Sequence, residues 1–73
     1  MTNHLKLISR LGERLAAMGK TQGWLSRKLG MTRQQVSSYV RGAHPSLFTA
    51  YKIAGALNCT IEDLWIPAEE DES

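Results

Sequence analysis

Residues 22–41 read Gln-Gly-Trp-Leu-Ser-Arg-Lys-Leu-Gly-Met-Thr-Arg-Gln-Gln-Val-Ser-Ser-Tyr-Val-Arg. Gly30 divides the stretch. The small Ser26 stands four places before it, the apolar Met31 directly after it, and Val36 and Tyr39 six and nine places on. Two helices that cross steeply need this order: the small residue lets the backbones approach, the glycine makes the turn, and the later apolar residues seal the crossing. Thr21 is placed to cap a helix from Gln22 to Leu29, with Leu25 and Leu29 as its apolar positions. Thr32 caps the next, from Arg33 to Arg41, and Gly42 ends it.

On either side the pattern gives three further short helices. Asn3 caps a first helix whose stripe is Leu7, Leu11 and Leu15, with Ile8 and Met18 beside it, and Gly19 stops it. Ser46, after Pro45, caps a fourth with Leu47, Ala50, Ala54 and Leu57 on one face. Thr60 caps the last, with Ile61, Leu64 and Trp65 turned inward and Pro67 ending it. No stretch alternates apolar and polar residues between turn signals, so no strand is expected. The sequence predicts an all-α, five-helix domain over residues 1–67 and a charged, mobile tail at 68–73.

A chain of 73 residues has room for one small domain. All nine Lys and Arg stand at or before Lys52, whereas Glu69, Glu70, Asp71 and Glu72 crowd the tail. Residues 1–66 set nine cations against three acids, a net +6, and a basic body points to a polyanion such as nucleic acid. The lone Cys59 excludes an internal disulfide and reads as a small buried apolar residue, while His4 and His44 lack zinc-finger spacing. No apolar run approaches the roughly 18 residues that span a bilayer, and Met1 to Leu7 lacks the features of a signal peptide, so the expected setting is the cytoplasm. No paired carboxylates, glycine-rich phosphate loop or Ser-His-Asp set suggests an enzyme, and no cofactor, metal or small-molecule ligand is expected. Glu62 and Asp63 suit a helix N-terminus, where negative charge is favoured.

The helix Arg33–Arg41 carries the functional signal. At about 100° per residue, Arg33, Ser37, Arg41, Gln34 and Ser38 share one side, and Val36, Tyr39 and Val40 share the other. The polar side holds no acid that would repel phosphate. Arg pairs well with guanine, Gln with adenine and Ser with either, so this face can read base edges.

The unit around Gly30 is a helix-turn-helix, and from Leu7 to Trp65 the chain resembles the phage repressor and Cro family, also called the XRE family. Gly19-Lys20-Thr21-Gln22 is similar to the family's Gly-Leu-Thr-Gln, and Leu29-Gly30-Met31-Thr32 to its Leu-Gly-Val-Ser turn. Arg41-Gly42 with Pro45-Ser46-Leu47 resembles its Arg-Gly…Pro-Ser-Leu linker, one residue short of the commonest form. The segment Ile53 to Cys59 resembles its Ile-Ala-x-Ala-Leu-x-Val. Ser26 departs from the usual alanine and Lys20 from leucine. Val40 replaces a glutamate that pairs with an arginine matched here by Arg10, which leaves Arg10 free for phosphate.

The resemblance implies that Arg33, Gln34, Ser37 and Ser38 read bases in the major groove, and that Gln22, Thr32, Arg41, His44 and Arg10 contact phosphate. Thr32 reads equally as a helix cap, and His44 as a solvated loop residue. Trp24 either packs at the rim or stacks on DNA or a partner. The function expected is a sequence-specific double-stranded-DNA-binding transcriptional regulator of phage or bacterial type, acting as a two-fold homodimer. Cys59, Ile61, Leu64, Trp65 and Ile66 form the candidate dimer surface, unless they simply plug the core. The alternative is a protein-interaction, antitoxin-like module using Trp24 and Trp65, and a non-specific nucleic-acid binder comes third.

Overall fold

The computed structural model describes residues 5–69. In chain order these form β1 (Leu5–Ser9), α1 (Leu11–Ala17), α2 (Gln22–Leu29), α3 (Arg33–Arg41), α4 (Leu47–Ala56), α5 (Ile61–Leu64) and β2 (Trp65–Glu69). All five expected helices are present. Thr21, Thr32, Ser46 and Thr60 each cap one by accepting an N–H with the side-chain oxygen, as their positions predicted.

The strands were not expected. β1 and β2 pair antiparallel, with Leu7 opposite Pro67, Ile8 opposite Ile66 and Ser9 opposite Trp65. The i, i+4 relation of Leu7 to Leu11 is therefore not a helical stripe: α1 begins only at Leu11, and the expected cap Asn3 lies outside the described residues. Local periodicity could not reveal a ladder whose two halves stand at opposite ends of the chain. Pro67 does not end a helix but sits within β2. In a two-stranded ribbon both strands are edges, so its missing N–H costs nothing when that side faces solvent. Ser9 joins ribbon to bundle: its hydroxyl donates to the Tyr39 carbonyl at 2.8 Å.

The core gathers Leu11 and Leu15 of α1, Leu25 of α2, Val36 of α3, Ala50, Ile53 and Ala54 of α4, and then Leu57, Leu64 and Trp65. The buried stripe of α4 thus includes Ile53 but not Leu47, which is 68% exposed because the first turn of α4 runs beyond the core. Arg14 crosses from α1 to the end of α4. Its guanidinium donates to the Leu57 carbonyl at 2.9 and 3.3 Å and to that of Asn58 at 3.2 Å. These carbonyls lack helical partners and carry the negative end of the helix dipole. Arg14→Ala is expected to lower stability by about 1–2 kcal/mol, read as a lower melting temperature with the helical spectrum retained below it. No helix among the described residues is long and apolar enough to cross a membrane.

Candidate nucleic-acid interface

Three local features fix α3 on α2. Gly30 takes the left-handed conformation, φ 67°, which an L side chain would strain, and so turns the chain sharply between the helices. Ser26 is 4% exposed, and its hydroxyl donates to the Gly23 carbonyl at 2.8 Å, so a polar residue serves at the crossing without an unmet hydrogen bond. Val36 is fully buried, with Tyr39 and Val40 packed around the core. The apolar side of α3 is the one the angular pattern assigned.

The opposite side holds Arg33, Gln34 and Arg41 exposed and Ser37 and Ser38 half-buried. Arg41 Nη1 donates to Ser37 Oγ at 2.8 Å, so these two act together. Gln34 projects freely, whereas Gln35 is tied into the cap: its side-chain oxygen accepts from the Thr32 N–H at 3.0 Å and the Thr32 hydroxyl at 3.3 Å. The Thr32 hydroxyl also accepts from the Gln35 N–H at 3.0 Å. Its single proton is engaged, and the geometry is that of a capping box. Neither α2 nor α3 has an acid in its first turn, so both N-termini keep their positive field. Half-buried Gln22 opens α2 beside the cap Thr21.

Of the remaining candidates, Arg10 departs from the expectation. Arg10 is not free: its Nη1 pairs with Glu13 at 3.0 Å, one turn along. Val40, in place of the family's glutamate, packs on Gly12, where a β-carbon would stand 3.2 Å from its Cγ1. His44 is exposed and lines an apolar groove of about 270 Å³ with Leu7, Pro45, Leu47 and Ile61. Trp24 packs against the core, with Lys20 Nζ 5.1 Å and Lys28 Nζ 5.7 Å from its ring centre. That is rim packing, with two ammonium groups drawn to an aromatic face.

The expected dimer surface needs correction. Leu64 is fully buried and Trp65 only 5% exposed, so both belong to the core of one chain and cannot also form a contact surface. Burial of Trp65 equally removes it from any partner-binding face. Cys59, Ile61 and Ile66 are half-buried. Burial pushes the Cys59 thiol above its ordinary pKa, against the opposing pull of the Arg14 guanidinium. Sequence reasoning missed the exposed apolar side chains of α4, Leu47, Phe48 and Tyr51. The helical spacing places Leu47 on one face with Ala50, Ala54 and Leu57, yet only the latter three are buried.

A helix-turn-helix family model, HTH_3, matches residues 11–64. The chain belongs to this helix-turn-helix family, which is of the XRE type. Two Archaeoglobus fulgidus proteins, each named an uncharacterized HTH-type transcriptional regulator, are 41% and 38% identical over 64 residues. These matches cover 86% of this chain and 91% and 90% of the relatives. A Methanocaldococcus jannaschii protein named in the same way is 43% identical over 53 residues, covering 71% of this chain and 79% of its own. A crystal structure of a candidate DNA-binding protein from Bacteroides fragilis superposes with a TM-score of 0.75 at 27% identity, covering 81% of this chain and 97% of that one.

Proposed function

We propose that the chain is a sequence-specific transcriptional regulator of the repressor and Cro type, which lays α3 in the major groove of double-stranded DNA. The observation that carries this reading is the acid-free, exposed side of α3, held at a fixed angle by Val36, Ser26 and Gly30. The regulator names of the archaeal relatives and the DNA-binding description of the Bacteroides structure support it. Arg33 leads the helix into the groove, and Gln34, Ser37 and Ser38 follow along the base edges. Gln22, Arg41 and His44 hold the flanking phosphates, with smaller parts for Thr32, tied to its cap, and for Arg10, tied to Glu13. The work is binding, without catalysis or cofactor, in the cytoplasm.

A single recognition helix spans too few base pairs to find one site among many, so the protein binds as a two-fold dimer with half-sites about 34–36 Å apart. With Leu64 and Trp65 in the core, the dimer contact falls to Cys59, Ile61 and Ile66 together with Leu47 and Tyr51. Four of these, Leu47, Tyr51, Cys59 and Ile61, border one groove of about 480 Å³.

Selection of bound sequences from a random duplex pool tests the reading. The expected result is a two-fold symmetric motif holding two protomers. Gln34→Ala should cost about 1–3 kcal/mol on that motif and relax one base position. No enriched motif would overturn sequence-specific binding, and one protomer per site would overturn the dimer.

A further inference from the structure

The β1–β2 ribbon has two outer edges, and they differ chemically. In an antiparallel ladder, residue pairs that exchange hydrogen bonds alternate with pairs whose N–H and C=O groups point outward. Two bonds fix which are which. The N–H of Arg10 donates to the Leu64 carbonyl at 2.7 Å, one step beyond the pair Ser9–Trp65, and the N–H of Trp65 donates to Ile61 instead of across the ribbon. The bonded pairs are therefore Ile8 with Ile66 and Lys6 with Ala68. The backbone groups of Leu5, Leu7 and Ser9 on β1, and of Trp65, Pro67 and Glu69 on β2, point outward. On the β2 edge Pro67 has no N–H and that of Trp65 is spent on α5, so this edge resists a further strand. On the β1 edge the outward N–H and C=O of Leu7 and Ser9 have no partner among the described residues. No proline guards β1, and Leu7 and Ile8 stand exposed on its two faces.

We propose that the open edge of β1 pairs antiparallel with the same edge of a second copy, joining two ribbons into one four-stranded sheet in the order β2-β1-β1-β2. The register selects this occupant. With Leu7 opposite its counterpart, each Leu7 donates to and accepts from the other, and Leu5 of each strand falls opposite Ser9 of the other. A second β1 therefore meets every backbone group that the first leaves open, and the two exposed Leu7 side chains meet on one face. A two-stranded ribbon is marginal in water, and two added strands extend it. The contact is separate from the α4–α5 groove assigned to the dimer and goes beyond that reading. Five residues bury too little surface to join free molecules firmly, so the contact counts where neighbours are already held together, as on adjoining DNA sites. There one bound dimer favours occupation of the next site.

The test is amide hydrogen exchange and sedimentation of the whole protein over rising concentration, up to about 1 mM, where even a millimolar contact is populated. The wild-type Leu7 N–H should exchange more slowly as concentration rises, in proportion to the fraction paired. Leu7→Pro removes one outward N–H and, like Pro67 across from it, no ladder bond, so the ribbon can form. This variant should lose one association step and keep the dimer. Leu7→Ala retains the N–H and should retain both steps. Circular dichroism checks that Leu7→Pro folds, and exchange at wild-type Leu7 is a readout that depends on no variant. Tyr51→Glu, aimed at the α4–α5 groove, should lose the dimer contact while the Leu7 N–H stays protected at high concentration. Leu7 exchange that does not change with concentration, or association unaltered in Leu7→Pro, overturns the proposal and leaves the α4–α5 dimer standing. Protection of Leu7 by another protein's extended segment but not by added copies overturns it too. Tyr51→Glu protein that associates like wild type overturns the α4–α5 surface instead and leaves the ribbon contact standing.

Discussion

Raising the salt from about 50 to 200 mM should weaken binding of the dimer to its duplex roughly 10⁴- to 10⁶-fold. The size follows from counterion release: each neutralised phosphate contributes about −0.9 to the slope, and four to six contacts on each of two half-sites give a slope of about −7 to −11. Their source is the set of exposed cations, not the whole charge of the chain. Arg14 is engaged with the end of α4, Arg10 with Glu13, and Lys20 and Lys28 lean on Trp24. Arg27 and Arg41, with the amides that open α2 and α3, remain for the backbone, while Arg33 enters the groove. Fluorescence anisotropy over a salt series measures the slope. A flat response would remove DNA as the ligand.

Trp65→Ala should cost about 3–5 kcal/mol, which is most of the stability a domain this small can have. The indole is 5% exposed and follows directly on α5, where it is surrounded by the core. Its Nε1 is buried without a hydrogen-bond partner among the described residues. Trp65→Phe removes that unmet donor along with part of the ring, so the lost packing is partly offset and the variant should stay folded. Thermal unfolding of the free protein at several concentrations measures both variants. A folded Trp65→Ala chain that fails only in dimer formation would return this residue to the subunit contact and out of the core.

The central helices were legible because their signals are local. A capping threonine, a turn glycine and an apolar face lie within a few residues of one another in Thr21–Gly42, and each records the constraint that made it. The ribbon was hidden for the opposite reason. Leu7 satisfied a helical spacing by coincidence, and only the distant segment from Trp65 shows what pairs with it. Leu47 failed in the same way, since a stripe does not tell where the core stops. Within the candidate site the acid-free side of α3 was readable from residue types. The tie of Arg10 was not, because the missing glutamate at Val40 pointed away from the acid that does hold it, Glu13 in the first turn of α1.

The pairing of Leu5 with Glu69 sets the two ends of the described chain side by side. The ladder hydrogen bonds run perpendicular to the strands. Tension drawing those ends apart therefore loads the ribbon one rung at a time, as in opening a zip, and not all rungs at once in shear. The first rungs to part lie at Leu5 and Glu69, and the last, Ser9 opposite Trp65, lies at the edge of the core. Such a load is absorbed by the ribbon before it reaches α2 and α3, so a segment fused to either end can pull on this domain while its DNA-facing helices keep their crossing angle.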